Sequence, residues 1–553
     1  MTTDRKASGG RVFGRSVPRL EDRPLVRGQG QFVGDIAFPH QLHMRVVRSP
    51  YAHALLRAVD VAAALAAPGV VAVWTAADIA DLPPIDFRDP TNEALRPYRQ
   101  PLLARDKLRY VGEPVAAVFA TDAYLAEDAA DLVAIEAEEL SPVLDAEAAP
   151  SSFATGLATE ALVMREGYGD VDAAFASAHA IVALDLEIGR HSGVPLETRG
   201  ALARYVASRD VLELYGAAKV PHRNRDSLMR MLTRSAAGVV LKEGSTGGGF
   251  GIRGELYPED FLVCLAAMRL ERPVKWIEDR YEHLVAANQS RGSVHRVRAP
   301  ADERGFILGL DDEFWFDQGG YLRTHVVTVI DLTCAMLPGP YIIPAYRSVG
   351  HARLTNKTPC GTYRAPGRFE ASFVRERLID VIADRLGLDP VVVRRRNFIA
   401  KTAMPFRREF SALGTEIIYD TGDYAGLLDK FLNRVQWETL HADVVQRRQA
   451  GEIAGLGLGF FVEKSGLGPF DDVRITLGGD GTIEVITGAA SIDQGIETVL
   501  VQICADELGT GLDRIRLTHG QMDRIARGMG AFASRVKSTA YFEPIRNDSD
   551  STC

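Results

Sequence analysis

The sequence predicts an α+β chain, and three observations carry that prediction. Period-two apolar runs such as HAIVALDLEI (179–188) read as half-buried strands. Runs with helical spacing, above all EASFVRERLIDVIADRLGLD (370–389) with apolar Phe373, Val374, Leu378, Ile382 and Leu386, lie between them. In DVRITLGGDGTIEVITGA (472–489) two alternating strands meet at GGDG, a hairpin signal.

Taken in order, LHMRVVRSP (42–50), GVVAVW (69–74) and EPVAAVFA (113–120) read as strands. The Ala-rich runs 59–67 and 121–134 read as helices, giving a first α+β unit over about 28–145. AEAAPSSFATG (146–156) has the composition of a linker, so a boundary is expected near 150–160. A second region, 167–402, holds strands 179–188 and 201–207 and a helix over 256–270. It also holds the helix over 370–389, where Gly387 suits the C-terminal end and Asp389-Pro390 an N-cap with proline in the first turn. A third region opens with a polar helix over 420–448 and continues through the hairpin, a helix over 495–509 ending at glycine, and a strand at 513–520.

Composition excludes several classes. At 553 residues the chain has room for three or four domains, and 46% apolar residues can supply a core. A net charge of −9 gives no general attraction to nucleic acid or to an anionic membrane. No apolar run reaches the 18 or so residues of a membrane span, and the first residues hold no secretory h-region, so a cytoplasmic protein is expected. Five scattered cysteines without a CxxC pair cannot build a local zinc or iron–sulfur site.

Four segments carry candidate chemistry. In EGSTGGGFGIRGELYPED (243–260), glycines flank Phe250 just before a helix. Such a loop aims N–H groups at an anion, but its spacing is not that of a dinucleotide turn, and a plain structural turn remains open. Arg364 and Arg368 flank an Ala-Pro-Gly turn, suited to phosphate or to a solvent-facing loop with a surface ion pair to Glu370. Asp493, Gln494 and Gly495 precede a helix, where the Gln494 amide can donate and accept, or merely cap. GMGAFASRVKS (528–538) combines small residues, Ser534 and Arg535.

Read in order, these segments resemble the large subunit of the molybdenum hydroxylases, the xanthine dehydrogenase, aldehyde oxidase and carbon monoxide dehydrogenase family. The stretches 28–56 and 111–133 are similar to that family's α/β hammerhead domain. GVPLETRGALA, GGGFGIRGELYPED, RPVKWIEDRYE, GTYRAPGRFEASFVRERLIDVIA, DPVVVRRRNFI, DQGIETVLVQICADELG and GAFASR follow in family order. The resemblance implies a hammerhead domain at 14–150, a first molybdopterin-binding α/β domain at 160–405, an incomplete second one at 420–536 and a divergent tail at 537–553.

It also implies a molybdenum–molybdopterin cytosine dinucleotide held without protein ligands to the metal, in keeping with the sparse cysteines. Gly248, Gly249, Phe250 and Gly251 would lie against it, Arg364 on the pterin side. Gln494 and Gly495 would hydrogen-bond to it, with Asp493 in place of the family's usual first glycine. Ala533 and Ser534 would line its phosphate region, and Phe250, Ala365 and Pro366 the pocket of a small-molecule substrate. Electrons would pass to [2Fe-2S] and FAD centres on small and medium partner subunits.

Ala365 stands where carbon monoxide dehydrogenases carry a copper-binding cysteine, which points to an aldehyde or N-heterocycle rather than CO. The family's general-base glutamate lies in a GxGE segment, and no GxGE occurs here, so no catalytic residue is assigned. A shortened chain is therefore expected. Its alternatives are a non-catalytic remnant or assembly partner, and a split enzyme with the base encoded separately.

Overall fold

The computed structural model describes residues 11–88, 93–216, 219–468 and 470–536. The expected divergent tail, 537–553, lies outside them. Among the described residues, no helix is long and apolar enough to cross a membrane, and no group of His, Cys, Asp and Glu could hold a metal ion.

A seven-stranded sheet organises the first half. Its order is Val239–Lys242, Val211–Tyr215, Gly200–Val206, Val274–Ile277, Leu42–Arg48, Pro114–Ala120, Val70–Trp74. Leu42–Arg48 pairs parallel with Val274–Ile277, joining Leu42 to Val274 across 232 residues of sequence. The sheet therefore crosses the linker-like stretch at 146–156, which itself holds a short strand at Ser152–Ala154 that pairs with Leu157–Ala158 just beyond it. Pro114–Ala120 is buried along its whole length, because neighbours flank it on both edges, the helix Ala123–Ala130 packs on it, and Ala117 and Phe119 join the main core. The helix Pro258–Arg269 packs on this sheet and is buried from Pro258 through Ala267. Its buried Glu259 is compensated by Arg48 at 2.6 Å and Arg199 at 3.3 Å, and Arg199 reaches Glu278 at 2.7 Å. Unpaired, these charges would cost several kcal/mol each, so the network locks the first region onto the second.

A five-stranded sheet follows, in the order Ala180–Ile188, Ser293–Ala301, Leu310–Gly319, Tyr346–Leu354, Glu160–Tyr168. The helix Arg368–Leu386 packs on its first two strands, burying Val374, Leu378, Ile379 and Ile382. Gly387 ends that helix in the left-handed region and Asp389 caps the next, its carboxylate accepting from Val391 N, as the sequence indicated. The polar helix expected over 420–448 is in fact two, Tyr424–Val435 and Trp437–Gln449, broken where Gln436 takes φ +53°. The hairpin strands Val473–Leu477 and Ile483–Thr487 form a three-stranded sheet with Ile515–Thr518, backed by the helix Ile496–Leu508.

Candidate active site

The loop 247–251 leaves the edge strand Val239–Lys242 and meets two other segments. Arg364 N donates to Phe250 O at 2.7 Å, so the glycine loop and the 362–367 turn are stitched together. Gly249 faces Ile492: a Cβ there would come within 3.2 Å of the Ile492 side chain, bringing in the segment before Gln494. Phe250 takes φ +48° and leaves its ring 41% exposed, folded over Gly248 beside Pro195. Gly248, Gly249, Phe250, Gly251, Arg364, Ala365 and Pro366 thus lie at one place.

The Arg364 side chain is exposed, while its backbone carbonyl accepts from the buried Arg291. Arg291 also donates to Ala365 O at 3.3 Å and to both Glu370 oxygens at 3.1 Å. A surface ion pair from Glu370 to the turn's own arginines is therefore corrected: Glu370 is fully buried and its partner is Arg291. Burial raises the Glu370 carboxyl and Arg291 opposes that rise.

Gln494 is occupied by its own loop. Its Oε1 accepts from Ile492 N at 2.6 Å and its Nε2 donates to Ala490 O at 3.0 Å. Gly495, at φ +75°, caps the helix Ile496–Leu508, with Arg19 and Glu21 of the N-terminal segment close by. Ala533 and Ser534, at φ +46° and +51°, lie in a turn fastened by Ala533 O accepting from Gly466 N at 2.9 Å. Arg535 is fully buried, donating to Leu467 O at 2.8 Å and Phe470 O at 2.6 Å and pairing with Asp471.

Lys219 joins the glycine loop to the 528–535 segment, and sequence reasoning missed it. Its carbonyl accepts from Ala531 N at 2.7 Å, and its ammonium lies 3.0 Å from where a Cβ on Gly254 would sit. Arg88 acts on it directly and also lies 2.7 Å, through Nη1, from His325 Nε2, and His325 in turn feels Lys219, Arg223 and Arg323. Glu255 is the carboxylate among them, and it is already held by Asn288, Thr324 and Arg323. Burial first and Arg88 second press the Lys219 ammonium down to about 8, with Glu255 opposing. Burial and the same cations hold His325 well below its ordinary value. Among the described residues Arg88 Nη2 is buried without a partner. Buried positive charge in this excess is costly unless an anion neutralises it, so the geometry suits an anionic ligand. The only signal in the sequence is a cationic run around a helix-starting proline, AAKVPHRNR, which resembles many surface helices.

The carboxylates near the loop are engaged. Glu197 accepts from Gly247 N at 2.7 Å and pairs with Arg253 at 2.9 Å, so neither it nor Glu255 is free to serve as a base.

Comparison with known proteins identifies the domains that carry these segments. Residues 27–141 match the aldehyde oxidase and xanthine dehydrogenase a/b hammerhead domain, and 157–398 and 430–541 each match a molybdopterin cofactor-binding domain. The 6-hydroxypseudooxynicotine dehydrogenase complex subunit gamma of Paenarthrobacter nicotinovorans is 38% identical over 530 residues, covering 95% of this chain and 67% of that protein. The carbon monoxide dehydrogenase large chain of Hydrogenophaga pseudoflava is 32% identical, covering 94% and 68%. The structure of quinoline 2-oxidoreductase from Pseudomonas putida 86 superposes with a TM-score of 0.89 at 32% identity, covering 96% of this chain and 70% of that one. The chain spans about two thirds of the length of these relatives. It belongs to the molybdenum hydroxylase large-subunit family, which includes the xanthine dehydrogenase and carbon monoxide dehydrogenase large subunits.

Proposed function

We propose that the chain is the molybdopterin-binding large subunit of an oxidoreductase that hydroxylates an N-heterocycle or aldehyde with water-derived oxygen. The cofactor is a molybdopterin cytosine dinucleotide, and the electrons leave for [2Fe-2S] and FAD centres on partner chains. The observation that carries this reading is the surplus of buried cations where the 247–255, 219–223 and 528–535 segments converge, a fit for a polyanionic cofactor. When bound, that cofactor supplies a two-electron oxidation coupled to oxygen transfer.

The chain's own residues divide the work. Lys219, Arg88 and Arg223 neutralise the ligand's negative charge, and the 248–251 backbone permits close approach. Ala533 and Ser534 face its phosphate region. The exposed Phe250 ring, with Pro195 beside it, offers an apolar wall suited to a flat ring. The relatives' names point the same way, since they act on 6-hydroxypseudooxynicotine, nicotine and quinoline. Ala365 in place of a copper-binding cysteine argues against CO.

The test is expression in a host that makes the cofactor, followed by molybdenum and cytidine nucleotide analysis and dye-linked turnover of N-heterocycles and aldehydes. Protein that carries neither molybdenum nor nucleotide overturns the proposal.

Lys219 yields a sharper expectation. Its ordinary value lies near 10.4, so below about pH 8 the lysine is charged in both states and folding must bury that charge at a cost. The penalty is full below about pH 8 and vanishes as pH rises to the unfolded value. Lys219→Met should therefore stabilise the cofactor-free chain at pH 7 by on the order of 1–3 kcal/mol, and not at all above about pH 10. The same variant should retain severalfold less molybdenum. Thermal melts at both pH values and metal analysis check this, and a variant less stable at pH 7 with normal metal content contradicts it.

A further inference from the structure

His519 lies just past the end of the strand Ile515–Thr518 and bridges two carboxylates from different elements. Its Nδ1 is 2.7 Å from Glu243 Oε2 and its Nε2 is 2.8 Å from Glu497 Oε1. Glu243 follows the edge strand Val239–Lys242, four residues before the glycine loop, and Glu497 lies in the first turn of the helix that Gly495 caps. A neutral imidazole has one N–H and one lone pair, so it would turn the lone pair toward a carboxylate. Both contacts are satisfied only when both nitrogens donate.

The bridge reaches the cofactor loop through Glu243. The Oε2 that meets His519 also accepts from Ser491 N at 3.1 Å, and Glu243 N donates to Gly520 O at 3.0 Å. Ser491 Oγ lies 3.4 Å from Asp493 N, and the next residue, Ile492, is the one that faces Gly249. Charged groups on the N-terminal segment close the other side: Arg19 pairs with Asp493 at 3.0 Å and Glu21 at 3.4 Å, and Thr498 Oγ1 donates to Glu21 at 2.5 Å. Glu243, Glu497 and Glu21 thus crowd one corner, and His519 is the cation set between the first two.

We propose that His519, as an imidazolium shared by Glu243 and Glu497, is the positioning residue that sets the Ser491–Gly495 loop against the glycine loop of the cofactor site. The inference rests on the reading of the 248–251 loop as cofactor-facing. Burial alone lowers the imidazole, and the two carboxylates outweigh it and push the group up to about 10. The clamp therefore contributes fully below about pH 6.5 and is lost as pH rises through about 10.

The test uses the full chain, with and without cofactor, and reads hydrogen exchange of amides 489–495 together with molybdenum content. In His519→Gln the amide donates to one carboxylate and turns its oxygen on the other. Exchange of the loop should rise by at least about tenfold, the range expected for a lost charge-assisted bond, and metal content should fall. In His519→Gln/Glu497→Gln the two amides can pair, and both readouts should return toward wild type. Should His519→Gln fail to fold, Glu497→Gln alone decides the matter. With one carboxylate neutral, the pH midpoint at which the loop loosens should drop from near 10 toward neutrality. Loop exchange unchanged in His519→Gln, absence of rescue in a folded double variant, or an unmoved midpoint in Glu497→Gln overturns the proposal. A wild-type chain without molybdenum would sink the cofactor reading, whereas the exchange comparison in cofactor-free protein would still decide the role of His519.

Discussion

Arg291→Met is expected to destabilise the chain by about 3–5 kcal/mol and to strip the site of its cofactor, because it leaves the Glu370 carboxylate buried without a counter-charge. Arg291 is 4% exposed and Glu370 not at all. Burial this deep leaves the charge that the substitution uncovers poorly screened. The same guanidinium carries the carbonyls of Arg364 and Ala365, and lies 4.9 Å from the Tyr363 ring centre and 4.3 Å from that of Phe369. Its loss releases the turn that holds the glycine loop through Phe250. Against a total stability of about 5–15 kcal/mol, such a cost is a large fraction.

Two companions separate charge from shape. Arg291→Met/Glu370→Leu should recover most of the stability, since a buried pair replaced by apolar groups is often neutral, but not the cofactor, since the carbonyls stay unheld. Arg291→Lys keeps the charge and loses the planar fork, so it should fall between. The pH response has a definite sign. Glu370 already lies above the ordinary carboxylate range, and without Arg291 it rises further. The penalty in Arg291→Met should thus be full at high pH and shrink as acid protonates the carboxyl. Urea unfolding across pH reads this out, and a loss under about 1 kcal/mol would show that the pair is dispensable.

Much of the fold is legible in the chain because its signals are local. Alternation in 180–188 depends only on which face of one strand is wet, and the end of the 368–386 helix and the start of the next are written in Gly387 and Asp389. What could not be read arises from contacts between distant residues. Nothing near Leu42 announces a parallel partner at Val274. Gln436 breaks a helix without being glycine or proline, in a stretch whose flanking turns are mutually compatible with one long helix. The site divides likewise. The glycine loop and the 364–366 turn are visible as motifs, but their keystones, Arg291, Lys219 and His519, look like ordinary surface cations until the fold buries the first two and sets the third between carboxylates. Gln494 shows the converse: its amide is a plausible ligand group by type, and the structure spends it on its own loop.

Gly251→Ala and Gly249→Ala should behave oppositely, although the two glycines are two residues apart and both belong to the same motif. Gly251 holds φ +116°, ψ −38°, outside the regions open to residues with a Cβ. A methyl group there would overlap the Thr362 carbonyl oxygen and come within 2.9 Å of Tyr363 Cα, both backbone atoms of the turn that Arg291 fixes. Backbone cannot swing aside as a side chain does, so strain and overlap add, at about 3 kcal/mol or more. The wedge also pulls Arg364 N from Phe250 O. Gly249 has no such conformation, and its methyl would meet only the Ile492 side chain at 3.2 Å, which can give by a few tenths of an ångström. Gly249→Ala should therefore leave the melting temperature of the cofactor-free chain nearly unchanged, a cost under about 1 kcal/mol. Its methyl would instead fill the space where a ligand approaches the loop, and lower molybdenum content. A cost under about 1 kcal/mol for Gly251→Ala as well would mean that the loop is loose enough to absorb a Cβ at either position, and the stitching of Phe250 to Arg364 could then not be what shapes the site.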